Sequence, residues 1–223
     1  MKRIGVLLPT SGYAADEIER RRGLFGAHLP PECDIEFLVP AGSPEFLDLA
    51  RHFDDAISAA GTLLRRLSPD RFAAVILAGA LDPGLGAARA ASPVPVVGPG
   101  EAAMYLASLV GRRLSIVTVD EHAVAAANQM LDVLTLVPPV ASIRSMEMPV
   151  RAIMNDFDAA GERLHRECGS AVQADGAEVI YLGAMILGML PTSHLLQEEL
   201  GVPILNPVSV SASTAAQLAQ LSV

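Results

Sequence analysis

The chain has no tryptophan, three tyrosines and six phenylalanines among its 223 residues. Its core therefore has to be assembled from Ala, Val, Leu, Ile and Met. Cysteine is equally scarce. Cys33 and Cys168 lie far apart, with no CxxC or histidine spacing around them. That pattern excludes a disulfide framework and argues against a thiolate metal site. Basic charge is in deficit, with 16 Lys and Arg against 25 Asp and Glu and a net charge of −9. General nucleic-acid binding uses a basic face, which this balance does not supply. The main basic cluster, Arg20–Arg22, follows Asp16, Glu17 and Glu19 and reads as a solvated helix face with local ion pairs. Long apolar runs are missing too. The longest, Val179–Leu190, is interrupted by two glycines and falls short of the roughly 20 residues a membrane span needs. The opening "MKRIGVLLPTSG" meets Pro9 too soon for a signal peptide and reads as a first strand. The expectation is a cytoplasmic protein with neither nucleic-acid nor membrane partners.

What the chain does have is apolar content, 51% against 18% charged residues, enough to bury a large core. Short runs rich in β-branched residues alternate with helical patterns. The runs are "RIGVLL" (3–8), "DIEFLV" (34–39), "AAVILAG" (73–79), "VPVV" (94–97), "LSIVTV" (114–119), "IRSMEM" (143–148), "EVIYLG" (178–183) and "VPIL" (202–205). A helix is expected over "SPEFLDLARHFDDAISAAGTLLRRL", with Ser43 as N-cap and Pro44 at its first position. Continuous apolar strands separated by helices predict an α/β fold with parallel sheets covered on both faces.

The chain also repeats. "AAVILAGA…SPVPVVGPGEAA" (73–103) is echoed by "AEVIYLGA…GVPILNPVSVSA" (177–212). Each half reads as strand, Gly-Ala turn, helix, short strand and a Pro-containing turn into a further helix. We expect two α/β halves related by a pseudo-two-fold axis, 1–112 with 207–223 and 113–206. Ligands of open parallel sheets bind beyond the carboxyl ends of the strands. Gly79-Ala80 and Gly183-Ala184 are therefore expected on opposite walls of a cleft between the halves.

Several stretches offer chemistry. "LLPTSGY" places Thr10, Ser11 and Gly12 after the first strand and before a helix, an arrangement suited either to an anion seat or to an ordinary cap. "ALDPGLG" sets Asp82 before Pro83, which fits an N-cap or an acid/base group. Glu101 falls in a first helical turn, where the helix dipole alone would favour a carboxylate. Thr118, Asp120, Glu121 and His122 close a strand, and Thr118 could offer a hydroxyl to a substrate carboxylate. Thr192 or Ser193 reads as a helix cap beside His194. Cys168 sits in a helical pattern and Cys33 in a loop. Neither a Walker-type loop nor GxGxxG occurs, so nucleotide binding is unsupported.

With these stretches in place, the chain resembles the aspartate/glutamate/hydantoin racemase superfamily, in its hydantoin racemase-like branch. The resemblance covers nearly the whole chain. It rests most on "DPGLGAARAASPVPVVGPGEAA" (82–103), "IRSMEMPV" (143–150), "DGAEVIYLGA" (175–184) and the ending "LGVPILNPVSVSASTAAQLA". It implies two Rossmann-like halves, no cofactor, a small anionic or cyclic amide substrate and a homo-oligomer. It also implies a pair of thiols, one from each half, acting on opposite faces of a planar carbanion. Here the matching positions are Gly79 and Ala184, and neither can move a proton. Arylmalonate decarboxylases of the same superfamily keep the second cysteine and hydroxyl residues beside the first turn. This chain has Ala184 at the former and Ala80 and Leu81 at the latter. The expected function is a cofactor-independent isomerase, lyase or hydrolase working by a non-thiol acid/base mechanism, with Asp82, Glu101 and His194 as catalytic candidates. Thr10, Ser11, Gly79, Ala80, Thr118, Gly183 and Ala184 are the expected substrate-binding set, and no metal is expected. Glu147 is a further carboxylate in reserve. The alternative is a non-catalytic anion-binding protein or partner subunit that retains the fold.

Overall fold

The computed structural model describes residues 1–47, 50–110 and 113–221. Its strands are β1 (Lys2–Leu7), β2 (Cys33–Leu38), β3 (Ala74–Leu77), β4 (Val96–Val97), β5 (Leu114–Thr118), β6 (Val140–Ser145), β7 (Val179–Leu182) and β8 (Ile204–Leu205). Its helices are α1 (Ala15–Gly26), α2 (Ala50–Leu64), α3 (Leu85–Ala91), α4 (Pro99–Val110), α5 (Glu121–Val133), α6 (Val150–Asn155), α7 (Phe157–Gln173), α8 (Leu196–Leu200) and α9 (Pro207–Leu221). The strands form two four-stranded sheets, ordered β2-β1-β3-β4 and β6-β5-β7-β8. Every strand pairing among the described residues is parallel. The α/β class and the repeat of one topology in both halves are thus observed.

Contacts divide the chain into two compact units, Met1–Pro99 with the segment from Ser211, and Gly100–Val210. The divisions fall within α4 and α9. Those drawn from the sequence lie near the end of α4 and at the start of α9; residues 111–112 are outside the described residues.

In the first unit, α2 buries Ala56, Ala60 and Leu64, one helical stripe at i, i+4 and i+8, on the sheet side. Ala60 and Leu64 pack with Leu7, Val75, Leu77 and Leu85. In the second, α7 turns Ala160, Leu164, Cys168 and Ala171 onto Val117, Ile180 and Leu182. Both short strands follow a proline, Pro95 or Pro203. Each proline has no N–H to give the ladder, yet its carbonyl accepts from Val75 or Ile180.

Four local expectations need correction. The helix expected from Ser43 and Pro44 begins as α2 at Ala50. Residues 43–46 instead pack on Ser11 and Gly12, where Ser11 N–H donates to the Pro44 carbonyl at 2.9 Å. Part of that expected helix, residues 48–49, lies outside the described residues. Asp82 does not cap α3, whose N-cap is Gly84 at φ +73 with no side-chain bond. Thr192 and Ser193 do not cap α8, which starts after Leu195. Cys33 is the first residue of β2 rather than a loop residue.

Candidate functional site

The carboxyl ends of β3 and β7 lead into the two Gly-Ala turns. In the first, Asp82 N–H donates to the Gly79 carbonyl at 2.9 Å, and Leu85 N–H to the Asp82 carbonyl at 3.1 Å. Asp82 itself has φ +55, a left-handed conformation that costs a non-glycine residue of order 1 kcal/mol, least for Asp and Asn. Its side chain turns onto the end of β4. A Cβ built on Gly98 would lie 2.7 Å from the Asp82 carboxyl carbon and oxygen, so only glycine leaves room for this carboxylate. The ring of Pro83 folds back over the start of the turn. A Cβ on Gly79 would fall 2.8 Å from Pro83 Cδ and 2.9 Å from Cγ. The space the missing side chain would occupy is closed by the proline, and does not widen the turn as a small residue suggests. Ala80 is buried in the same turn.

The second turn is built differently. Gly183 N–H donates to the Val117 carbonyl at 2.8 Å. The Thr118 hydroxyl donates to the Gly183 carbonyl at 3.1 Å, and Thr118 is 0% exposed. Its single hydroxyl proton is therefore committed to bracing this turn and is not free for a substrate carboxylate. A Cβ on Gly183 would meet Ile116 Cγ2 at 2.9 Å, so the strand end packs tightly on β5. After Ala184 the chain runs into a 3-10 turn, Leu187–Met189. The Asn206 amide then donates to the Gly188 carbonyl at 2.8 Å, while its oxygen accepts from Val208 N–H at 2.9 Å at the start of α9. Ser193 adds a hydroxyl to the Gly188 carbonyl at 3.3 Å.

The remaining expected residues are scattered. Thr10 is buried and hydrogen-bonds Tyr13, whose burial pushes its phenol pKa up. Ser11 gives its hydroxyl to the Ser43 and Pro44 carbonyls at 3.3 Å. The loop leads from β1 into α1, as expected. α1 begins at Ala15 behind an Ala14 cap that makes no side-chain bond, and Asp16 and Glu17 fill its first turn. Two carboxylates there oppose anion binding at that dipole end. Glu101 does sit in the first turn of α4 and accepts from the Tyr105 hydroxyl at 3.3 Å. His194 is exposed in the turn before α8, and His122 is exposed on α5, which Asp120 caps through Ala123 N–H.

Glu147 is taken up structurally. It stands at φ +52 just past β6, is 75% exposed, and pairs with Arg163 at 3.0 Å. Next to it Arg144 makes a two-pronged bond to Asp175, at 2.6 and 3.0 Å, and reaches Glu167 at 3.2 Å. The Arg144 fork holds the Asp175 carboxyl below its ordinary pKa, with help from Ser142.

Neither cysteine lies at a Gly-Ala turn. Burial among the α7 core pushes the Cys168 thiol up to about 12, so it stays protonated at neutral pH. Cys33 is also raised, by burial first and by Glu32, and it lies at the amino end of β2, the end opposite the turns. Among the described residues no group of three His, Cys, Asp or Glu is placed to hold a metal, and no helix is long and apolar enough to cross a membrane.

One residue that matters, Asn206, was not singled out in the sequence, and another, Pro83, was read only as a helix start. Asn206 carried a signal, an Asn-Pro pair ahead of a helix. The closure of Pro83 over Gly79 carried none, because it exists only in three dimensions.

The two parallel sheets, each with a Gly-Ala turn at the carboxyl end of its third strand, define a racemase-type α/β protein. The Asp/Glu/Hydantoin racemase family matches residues 13–215, and the chain belongs to that family. A hydantoin racemase from Pseudomonas sp. (strain NS671) is 33% identical over 187 residues, covering 82% of this chain and 74% of the relative. A hydantoin racemase from Paenarthrobacter aurescens is 36% identical over 63% of this chain and 58% of its own length. Among solved structures, allantoin racemase from Klebsiella pneumoniae superposes with a TM-score of 0.88 at 26% identity, over 100% of this chain and 89% of that one.

Proposed function

We propose that this chain is a cofactor-independent enzyme acting on a hydantoin-like cyclic amide or small carboxylate by a non-thiol acid/base mechanism. The observation that carries the reading is the chemistry of the two turns. Gly79 and Ala184 hold no proton-transferring atom, and both cysteines lie elsewhere with raised pKa values. The hydantoin and allantoin racemases it resembles supply the substrate class, a five-membered ureide ring. On such a ring a base removes the proton at C5. The C–H bond breaks, its electron pair moves into the C4 carbonyl, and a proton returns to either face. Asp82 is the proposed base of the first turn, Glu101 its partner carboxylate and His194 the proton donor. Thr10, Ser11, Ala80, Gly183 and Ala184, with Gly79, are proposed to shape the ring's surroundings, with Thr118 behind them. The reading includes a homo-oligomer in solution.

Exchange at C5 in D2O, followed by proton NMR on hydantoin and allantoin, tests this. The expected result is enzyme-dependent exchange unchanged by prior iodoacetamide treatment. It should fall at least about a hundredfold in one of Asp82→Asn, Glu101→Gln or His194→Ala. Exchange retained in all three variants would remove the residue assignments, and no exchange on either ring would remove the activity. The second reading, a binding protein without turnover, draws on the closure of Gly79 by Pro83. It predicts calorimetric binding of the same rings without exchange.

A further inference from the structure

At the amino end of the first sheet, the end away from the Gly-Ala turn, lies an open hollow of about 340 Å³. That is within the range of small-molecule sites. Its walls come from the start of β1, the loops 69–73 and 93–95, and Ala219 of α9. All of them belong to the first unit. Phe72 and Val94, 3% and 4% exposed, supply an apolar floor. Pro69, Pro93 and Pro95 stiffen the backbone around it. Both loops are also tied from within. Arg71 and Phe72 N–H donate to the Ser68 carbonyl at 3.0 Å, and the Ser92 hydroxyl donates to the Val94 carbonyl at 2.8 Å.

Basic side chains gather at this floor. Lys2, Arg3 and Arg71 line the hollow with one acid, Asp70. Glu36 pairs with both guanidiniums, Arg71 at 2.6 Å and Arg3 at 3.3 Å. One carboxylate therefore orients two guanidiniums and neutralises only one. A guanidinium has five N–H donors, and these pairings use one from each. The Arg71 guanidinium also lies 5.2 Å from the Phe72 ring centre, which holds it over the floor. Lys2 gives the Ala219 carbonyl one of its three ammonium donors. Three positive and two negative side chains leave this hollow basic on a chain whose net charge is −9. The Arg144 cluster of the second unit is the reverse case, one guanidinium shared by Asp175 and Glu167.

We propose that this hollow binds a small organic oxyanion, a carboxylate or phosphate carried on a flat apolar body. Arg3 and Arg71 offer charge-assisted donors to its oxygens, and Phe72 and Val94 take the body. The site is separate from the ring chemistry proposed above and does not depend on it.

The test is titration of the 15N-labelled chain with benzoate, phenyl phosphate and inorganic phosphate, followed by amide NMR. Benzoate and phenyl phosphate distinguish the two anion classes. At least one of them should shift the Phe72, Ala73 and Ala219 amides with a Kd of about 1 mM, since Arg3 and Arg71 are 41% and 56% exposed in their side chains. Inorganic phosphate, which has no apolar body, should bind about tenfold more weakly. Arg71→Ala should weaken binding at least about tenfold, and Asp70→Asn should tighten it about twofold by removing a like charge. Arg3→Gln is the second variant should Arg71→Ala fold poorly, with the same expected loss. Shifts confined to residues 79–84, no binding of either organic anion, or binding that survives both arginine substitutions would overturn the site.

Discussion

The two Gly-Ala turns begin alike and end in opposite chemistry. The first uses a strained acidic residue, Asp82 at φ +55, and lets Gly98 at the following strand end make room for its carboxylate. The second reverses the arrangement. Its turn supplies the glycine, Gly188, and the following strand end supplies the polar side chain, Asn206. One turn is thus charged and closed by a proline ring, the other neutral and tied by hydrogen bonds from Thr118, Ser193 and Asn206. The repeated fold differs between its halves at these two turns. The difference fits the proposed use of unlike acid and base groups.

Introducing thiols at the two turns breaks the comparison most sharply. Gly79→Cys must push a Cβ into Pro83, and should destabilise the protein by about 1–3 kcal/mol in urea denaturation. Ala184→Cys adds one atom to a partly buried residue that already has its Cβ, and should shift stability by less than about 1 kcal/mol. Equal costs at the two sites would contradict the closure of the first turn.

Thr118→Val keeps the shape beside Gly183 but removes the donor to its carbonyl. The expected loss is about 1–2 kcal/mol in the same assay, with no change at the first turn. No measurable loss would mean that the second turn is not held by this bond.

A smaller and slower effect is expected from acid. Asp175 has its folded-state pKa depressed by Arg144, so its contribution is fully present above the ordinary Asp value of about 4. That contribution is lost as pH falls through the lower folded value. Asp175→Asn should therefore flatten the fall of stability below about pH 4 relative to the unmodified protein. Parallel pH profiles for the two proteins would remove the pair's role.

Much of this fold is legible in the chain. Each β-branched run forms a strand, though "IRSMEM" shifts to Val140–Ser145 because the backbone turns at Glu147. The parallel order follows from alternation with helices. Helix starts were the weak point, for one recurring reason. Ser43, Asp82 and the Thr192-Ser193 pair each look like a cap. Yet Ser193 spends its hydroxyl on Gly188, Asp82 packs on Gly98, and α2 starts well beyond Ser43. Which distant carbonyl or glycine a short polar side chain will meet is not written in its neighbours. The absence of thiols at both turns was legible. The ring that closes the first of them was not.

The central claim is that no thiol takes part. The most direct measurement is C5 exchange by the double variant Cys33→Ser/Cys168→Ala, which carries no sulfhydryl at all. The account predicts exchange on hydantoin within about twofold of the unmodified chain, once corrected for folded protein. Exchange reduced to the buffer rate in a folded double variant would contradict it.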